Sequence, residues 1–339
     1  MNLRTQVGKI LSTSFLCVVR DQKSKKNTTN LHNRIYNLLL NNKFKRWAVA
    51  DSYKVKILKT IKICIKKNLP IHFTYPFGGY KLWRLDSAPY VDWAEFFSIS
   101  YIIRRLFIIS LIYKPGFNIE FISENYFTHK ITYISMSDLK KYRDSFKELI
   151  LYFRKIIPKN IQISYKDISD LVSLNIIKNF VYSNKEKFTN ILETSSKSYQ
   201  LKRIQMAKLN INLNNLFHDK KFSKKKYLLT IKKSIILHET YLTCPERNNY
   251  LNNDSVIMLF NDPILNCIPI GSNKVSRVKF WTGKGVLEHR GNGFIDRILS
   301  INQLEKIDSF KKKSINLSFL KIKGNNFNKI IVYSQKIDF

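Results

Sequence analysis

The chain has 339 residues, of which 44% are hydrophobic and 13% aromatic. These figures exclude a disordered chain and supply enough apolar material for one large domain or two modest ones. The formal net charge of +35 at pH 7 suits contacts with nucleic-acid phosphates. The basic residues, however, are mostly Lys spread along the whole chain among many Asn and Ile residues, a pattern typical of an AT-rich genome. We therefore keep nucleic acid as a partner that is allowed but not favoured.

Cysteine and histidine spacing argues against a metal site. The cysteines Cys17, Cys64, Cys244 and Cys267 form no C-x-x-C motif. The six histidines form no H-x-x-x-H or H-x-E pair. Scattered single cysteines fit a reducing compartment, and no clear signal peptide is present. The sequence therefore predicts a cytoplasmic protein without a bound metal.

Four segments follow one another along the chain. Residues 1–69 have the pattern of basic amphipathic helices covering a sheet. Residues 70–170 alternate strand and helix signals and predict a βαβαβ core. Residues 171–245 form a basic helical segment in which we identify no candidate catalytic or binding residues. Residues 246–339 are predicted to be a β-rich portion that completes the site.

The βαβαβ core rests on clear alternation and stop signals. Apolar alternation predicts a strand from Ile71 and another from Phe117, joined by a helix from about Asp92 to Tyr113. A second helix opens at Ser137-Asp138, and Val256–Phe260 is predicted to be a buried strand. The sequence thus predicts an α/β fold, Rossmann-like and doubly wound. Its mostly parallel sheet has helices on both faces, and a mixed α/β C-terminal portion follows.

The most apolar run of the chain, residues 93–113, is long enough to suggest a membrane span. Arg104 and Arg105 lie in its middle, and a charged residue at a bilayer centre costs about 2.5–3.5 kcal/mol on insertion scales. We therefore expect a helix buried inside a protein that does not use a membrane.

A loop at residues 78–91 follows the first strand, at the sheet edge where open α/β proteins bind ligands. Five of its side chains have groups that can bind a ligand or take part in a reaction: Tyr80, Lys81, Trp83, Arg84 and Asp86. From Leu85 to Ser100 the chain has Asp86, Asp92 and Glu95 but no Lys or Arg. This reversal of sign indicates a small polar site, and the alternative is a surface loop before an ordinary helix start.

Five of the 10 glycines lie between Gly271 and Gly293. They predict tight turns at 283–285 and 291–293, with strand signals at 275–281. Turn amides can cradle a phosphate, and four cations stand nearby to neutralise it: Arg277, Lys279, Lys284 and Arg290. The stretch matches neither a P-loop nor a dinucleotide motif. A pair of β-hairpin turns is the alternative. A loop is predicted from Cys244 to Asp254.

The order of these features resembles the pyoverdine/dityrosine biosynthesis family, which includes the isonitrile synthases. The resemblance covers about residues 70–155. It rests on Pro76, Phe77, Lys81, Asp92, Glu95, Tyr113, Pro115, Gly116, Ser123 and Tyr142. The chain departs from the family pattern in three places. Glu124-Asn125 replaces Asp-Gly after Ser123, Tyr90-Val91 separate Pro89 from Asp92, and the 78–84 loop has a different sequence.

The resemblance implies an amino-acid substrate and a pentulose phosphate that donates one carbon to the amine. It also implies that no organic cofactor is bound. We expect Lys81, Asp92 and Glu95 to form the acid–base cluster. The predicted substrate-binding residues are Tyr80, Trp83, Arg84, Arg277, Lys279, Lys284 and Arg290. A basic RNA- or ribosome-associated binding protein and an inactive α/β scaffold remain the alternatives.

Overall fold

A computed structural model describes residues 30–41, 47–212, 223–260, 266–270, 279–291, 293–307, 311–317 and 320–334. Arg277, one of the predicted substrate-binding residues, lies outside these ranges.

The described residues form ten α-helices and nine strands. The helices are α1 (Leu31–Leu39), α2 (Asp51–Lys66), α3 (Trp93–Ile112), α4 (Asn125–Thr132), α5 (Met136–Ile156), α6 (Leu174–Thr194), α7 (Lys197–Asn210), α8 (Lys224–Leu242), α9 (Pro245–Leu251) and α10 (Ile301–Ile307). The strands are β1 (Ile71–Phe77), β2 (Phe117–Ser123), β3 (Ile161–Asp167), β4 (Val256–Phe260), β5 (Ile268–Pro269), β6 (Lys284–Arg290), β7 (Gly293–Leu299), β8 (Lys311–Asn316) and β9 (Lys329–Ser334).

The first sheet contains five parallel strands in the order β3-β2-β1-β4-β5. The chain moves outward from β1 to β3 and then returns to place β4 on the other side of β1. This reversal is the topological switch of a doubly wound sheet, and the predicted α/β fold class is confirmed. Six of the seven residues of β1 are buried, because a parallel sheet is covered on both faces.

Helix α3 begins where the sequence predicts it. The N–H of Ala94 donates to Asp92 Oδ1 at 2.7 Å, and the N–H of Asp92 donates to Glu95 Oε2 at 2.8 Å. These two bonds form a capping box, which satisfies donors that a helix start otherwise leaves open. Across the described ranges, no helix combines the length and apolarity that a membrane crossing needs.

The second sheet is mixed, with the order β7-β6-β9-β8. It packs against α3 through Gly285, where an added Cβ would lie 2.2 Å from the carbonyl carbon of Trp93. The tight turn predicted at 283–285 is therefore wrong, since β6 starts at Lys284 and Gly285 permits close packing. Arg290 pairs with Gly293 across a hairpin, as the turn predicted at 291–293 requires, and Asn292 lies outside the described residues.

Three other local predictions also need correction. The loop predicted from Cys244 to Asp254 contains helix α9, whose start is favoured by Pro245 at its first position. Helix α5 begins before Ser137-Asp138, because the Ser135 hydroxyl accepts from the N–H of Asp138 at 3.0 Å and caps it. Of the strand predicted at 275–281, residues 275–278 lie outside the described ranges, and residues 280–282 form a 3₁₀ turn.

Candidate functional site

A cavity of about 200 Å³ lies at the carboxyl end of the parallel sheet, beside the switch between β1 and β4. Phe77 of β1 and Phe260 of β4 form part of its wall, and Glu124 enters it directly after β2. Helices α7 and α8 close it with Arg203 and His238. We call this space the carboxyl-edge cavity. Its position is where open α/β sheets bind ligands.

The wall of the carboxyl-edge cavity combines apolar rings with ionisable groups. Its rings and aliphatic side chains include Phe77, Phe127, Ile131, Ile235, Phe260 and Trp281. Its ionisable side chains include Glu124, Arg203, His238, Glu239, Arg247 and Lys279. A cavity of this kind can hold a small polar molecule that also carries an apolar part.

A buried ion pair forms one side of this wall. Arg247 is 2% exposed, and its Nε donates to Glu124 Oε1 at 2.6 Å. Its Nη1 donates to Asn248 Oδ1 at 2.8 Å, and the guanidinium carbon lies 4.8 Å from the ring centre of Tyr241. Burial raises the pKa of Glu124, although the charge of Arg247 opposes the rise. The pair fixes a carboxyl group and a cation at the end of β2.

A histidine held by an arginine forms another part of this wall. Arg203 Nη2 donates to His238 Nδ1 at 3.2 Å, and the same guanidinium pairs with Glu239. Partial burial, followed by the charges of Arg203, Lys279 and Arg247, lowers the pKa of His238 below its ordinary value. The imidazole is therefore neutral at pH 7.

The predicted acid–base residues are in contact with one another, but their side chains are buried away from solvent. Lys81 Nζ lies 2.9 Å from Asp92 Oδ1 and 3.0 Å from Glu95 Oε2, and the side chains of Lys81 and Glu95 are 0% exposed. The Tyr142 hydroxyl donates to Glu95 Oε1 at 3.0 Å. Burial raises the pKa of Glu95 to about 8 against the attraction of Lys81. Lys81 and Glu95 do not line the carboxyl-edge cavity.

A second and larger cavity, about 630 Å³, lies between the start of α3 and the mixed sheet. Its walls include four lysines and three asparagines: Lys284, Lys312, Lys313, Lys329, Asn325, Asn326 and Asn328. We call it the lysine groove. Asp92 also lines it, and Lys284 Nζ donates to Asp86 Oδ1 at 2.6 Å. The mixed sheet thus reaches Asp86 in the 78–91 loop and Asp92 before α3.

The predicted substrate-binding residues are divided between these places. Tyr80 and Lys279 line the carboxyl-edge cavity, and Lys284 lines the lysine groove. The other three described residues of this predicted set line neither the carboxyl-edge cavity nor the lysine groove. Trp83 Nε1 donates to the Ile211 carbonyl at 2.9 Å, Arg84 is exposed, and Arg290 pairs with Glu288 on its own strand.

Five ionisable residues of the carboxyl-edge cavity were not predicted: Glu124, Arg203, His238, Glu239 and Arg247. Glu124 had a usable signal, because it directly follows a strand at the position where the family pattern places Asp. The other four come from α7, α8 and α9. Those segments contain no recognisable motif, and only tertiary packing brings these residues to the sheet.

No protein-family model and no curated protein sequence matches the chain. The structure is similar to the crystal structure of the PvcA protein from Pseudomonas aeruginosa, with a TM-score of 0.64 and 16% sequence identity. The similarity covers 91% of this chain and 100% of that one. At this identity the comparison shows a shared fold.

Proposed function

We propose that this chain is an enzyme of isonitrile-synthase type, which joins the amino group of an amino acid to a carbon from a pentulose phosphate. The observation that carries the proposal is the carboxyl-edge cavity, where Glu124, His238 and Arg247 converge at the topological switch. The family resemblance of residues 70–155 supports it. So does the fold shared with PvcA.

The chemistry of this reaction fits the groups in the cavity. An amine that attacks a ketose carbonyl gives a carbinolamine, which loses water to form an imine. The departing hydroxyl needs an acid, and the amine needs a base to take its proton. Burial raises the pKa of Glu124, which favours the protonated form that an acid needs. Arg203, Arg247 and Lys279 are cations suited to a phosphate or a carboxylate.

The catalytic role of Lys81, Asp92 and Glu95 stays a prediction, and their geometry supports a positioning role instead. Lys81 bonds to both carboxylates, and its Nζ also donates to the Phe280 carbonyl at 3.3 Å. This places the cluster between the 78–91 loop, the start of α3 and the 280–282 turn. Tyr80 and Trp281, the neighbours of these bonded residues in sequence, both line the carboxyl-edge cavity.

The test is a product assay with a labelled donor. Purified protein is incubated with ¹³C-labelled ribulose 5-phosphate and each standard amino acid in turn, and mass spectrometry detects an isonitrile that carries the label. We expect product with at least one amino acid and a strong loss in the Glu124→Gln variant. Arg290→Met, which alters a side chain outside both cavities, is the matched control. Absence of labelled isonitrile with every amino acid would contradict the proposal.

The second candidate function is binding of RNA, and the lysine groove is the observation that favours it. Its four lysines offer charge to phosphates, and its asparagines offer hydrogen bonds. The net charge of +35 would strengthen any such contact.

A further inference from the structure

His238 has a hydrogen-bonding arrangement that determines where its proton lies. A neutral imidazole has one nitrogen that donates and one that accepts. Arg203 Nη2 lies 3.2 Å from His238 Nδ1. A guanidinium can only donate, so Nδ1 must accept and the ring proton must sit on Nε2.

The charges around the ring keep it in this neutral form. Arg203 faces it from α7, Lys279 from the segment before the 280–282 turn, and Arg247 from α9. Glu239, the next residue on α8, has Oε1 at 3.8 Å from Nδ1, but this carboxylate is paired with Arg203. Three cations and one engaged carboxylate disfavour a second proton on the ring.

The Nε2–H group is available to a ligand. It forms no hydrogen bond with any residue in the described part of the chain. His238 lines the carboxyl-edge cavity, and its side chain remains 38% exposed. A fixed donor of this kind in a cavity is suited to an oxygen atom that gains negative charge during a reaction.

We propose that His238 is held as the neutral Nε2–H tautomer and donates from Nε2 to an oxygen atom of the bound substrate. Given the proposed function, on which this inference rests, that atom is the ketose carbonyl oxygen of the pentulose phosphate. The bond polarises the carbonyl while the amine attacks, and the proton stays on Nε2. A neutral histidine serves as the electrophile in this way in triosephosphate isomerase.

The tautomer can be measured without any activity. Nitrogen NMR of protein labelled with ¹⁵N-histidine separates the Nε2–H, Nδ1–H and doubly protonated rings. His129 is an internal control of the opposite kind, because its Nδ1 lies 2.7 Å from the Ile134 carbonyl, which can only accept. We expect the Nε2–H form for His238 at pH 7 and a proton on Nδ1 of His129. An Nδ1–H or doubly protonated His238 would overturn the proposal even if product forms.

The role of Arg203 is tested with the same spectra. Arg203→Met removes the donor to Nδ1, so we expect His238 to lose its single tautomer and to titrate at a higher pH, with His129 unchanged. A His238 signal that stays the same in this variant would overturn the assignment of Arg203 as the group that fixes the tautomer.

Contact with the substrate is tested by binding and turnover. Adding ribulose 5-phosphate should shift the His238 Nε2 signal and leave the His129 signals in place, and no shift at saturation would overturn the contact.

Turnover tests the donor role. Loss of a transition-state donor lowers kcat about 10²–10³-fold, which we expect for His238→Ala. His238→Gln keeps an N–H donor and should lose less than about tenfold, whereas equal losses in both variants would overturn the donor role. A wild-type protein with the Nε2–H ring and the shift but without isonitrile product would refute the proposed function alone.

Discussion

Lys81 contacts two acidic side chains, Asp92 and Glu95, that are both buried. Replacing it by Met leaves the Asp92 carboxylate without its counter-charge and removes a hydrogen-bond donor from Glu95, and breaking a buried pair in this way costs about 3–5 kcal/mol. We expect urea unfolding to show a loss of this size. Lys284→Met is the matched control, because its partner Asp86 is 72% exposed, and such pairs contribute at most about 1 kcal/mol. Equal losses in the two variants would contradict the buried-cluster account.

Glu95 makes the free energy of unfolding depend on pH in a definite direction. Its pKa rises from 4.5 to about 8 on folding, so the folded state holds its proton more tightly than the unfolded state does. This contribution is complete below about pH 4.5 and is lost as the pH rises through about 8. We therefore expect the unfolding free energy of the wild type to fall relative to that of Glu95→Gln across this window. Parallel curves from denaturant titrations at several pH values would show that the Glu95 pKa is not raised.

At the residue scale, sequence patterns located one polar cluster and missed the other. Lys81, Asp92 and Glu95 lie within one strand–loop–helix unit, so short-range signals are enough to place them together. Arg203 and His238 reach the sheet from α7 and α8, more than 120 residues after β1. Their approach depends on how helices pack, and a single chain carries no local signal for that.

At the level of elements, the contact between β6 and α3 fixes how the mixed sheet meets the parallel one. Gly285→Ala would place a Cβ 2.2–2.5 Å from atoms of Trp93 and Ala94, two of them in the main chain. Because main-chain atoms cannot move aside cheaply, we expect a loss of about 1–3 kcal/mol in thermal unfolding. Gly293→Ala on β7 has no atom within 4 Å of the new Cβ, so its expected change is within about 0.5 kcal/mol.

A Gly285→Ala variant as stable as Gly293→Ala would show that β6 does not approach the start of α3 this closely. The same glycine explains one failed prediction. A Gly-x-Gly sequence is typical of a turn, but glycine is equally suited to close approach of two backbones. The strands from Ile71 and Phe117 were predictable from their apolar alternation, and the strand from Val256 was predictable because it is a continuous apolar run.

Over the whole molecule, the net charge of +35 should produce RNA binding that is weak, salt-sensitive and spread over the surface. We expect Lys312→Gln/Lys313→Gln in the lysine groove to weaken RNA binding no more than Lys66→Gln/Lys67→Gln on and after α2. Fluorescence anisotropy at several salt concentrations measures both pairs. A selective loss in the groove variant that persists with competitor RNA would favour the RNA-binding function.

In the proposed function, the carboxyl-edge cavity and not the lysine groove binds the carbon donor. A crystal structure of the protein with ribulose 5-phosphate, supported by calorimetry in solution, distinguishes the two sites. We expect the sugar phosphate in the carboxyl-edge cavity, with its carbonyl oxygen about 2.7–3.2 Å from His238 Nε2. A sugar phosphate bound in the lysine groove, or no binding by calorimetry, would contradict it.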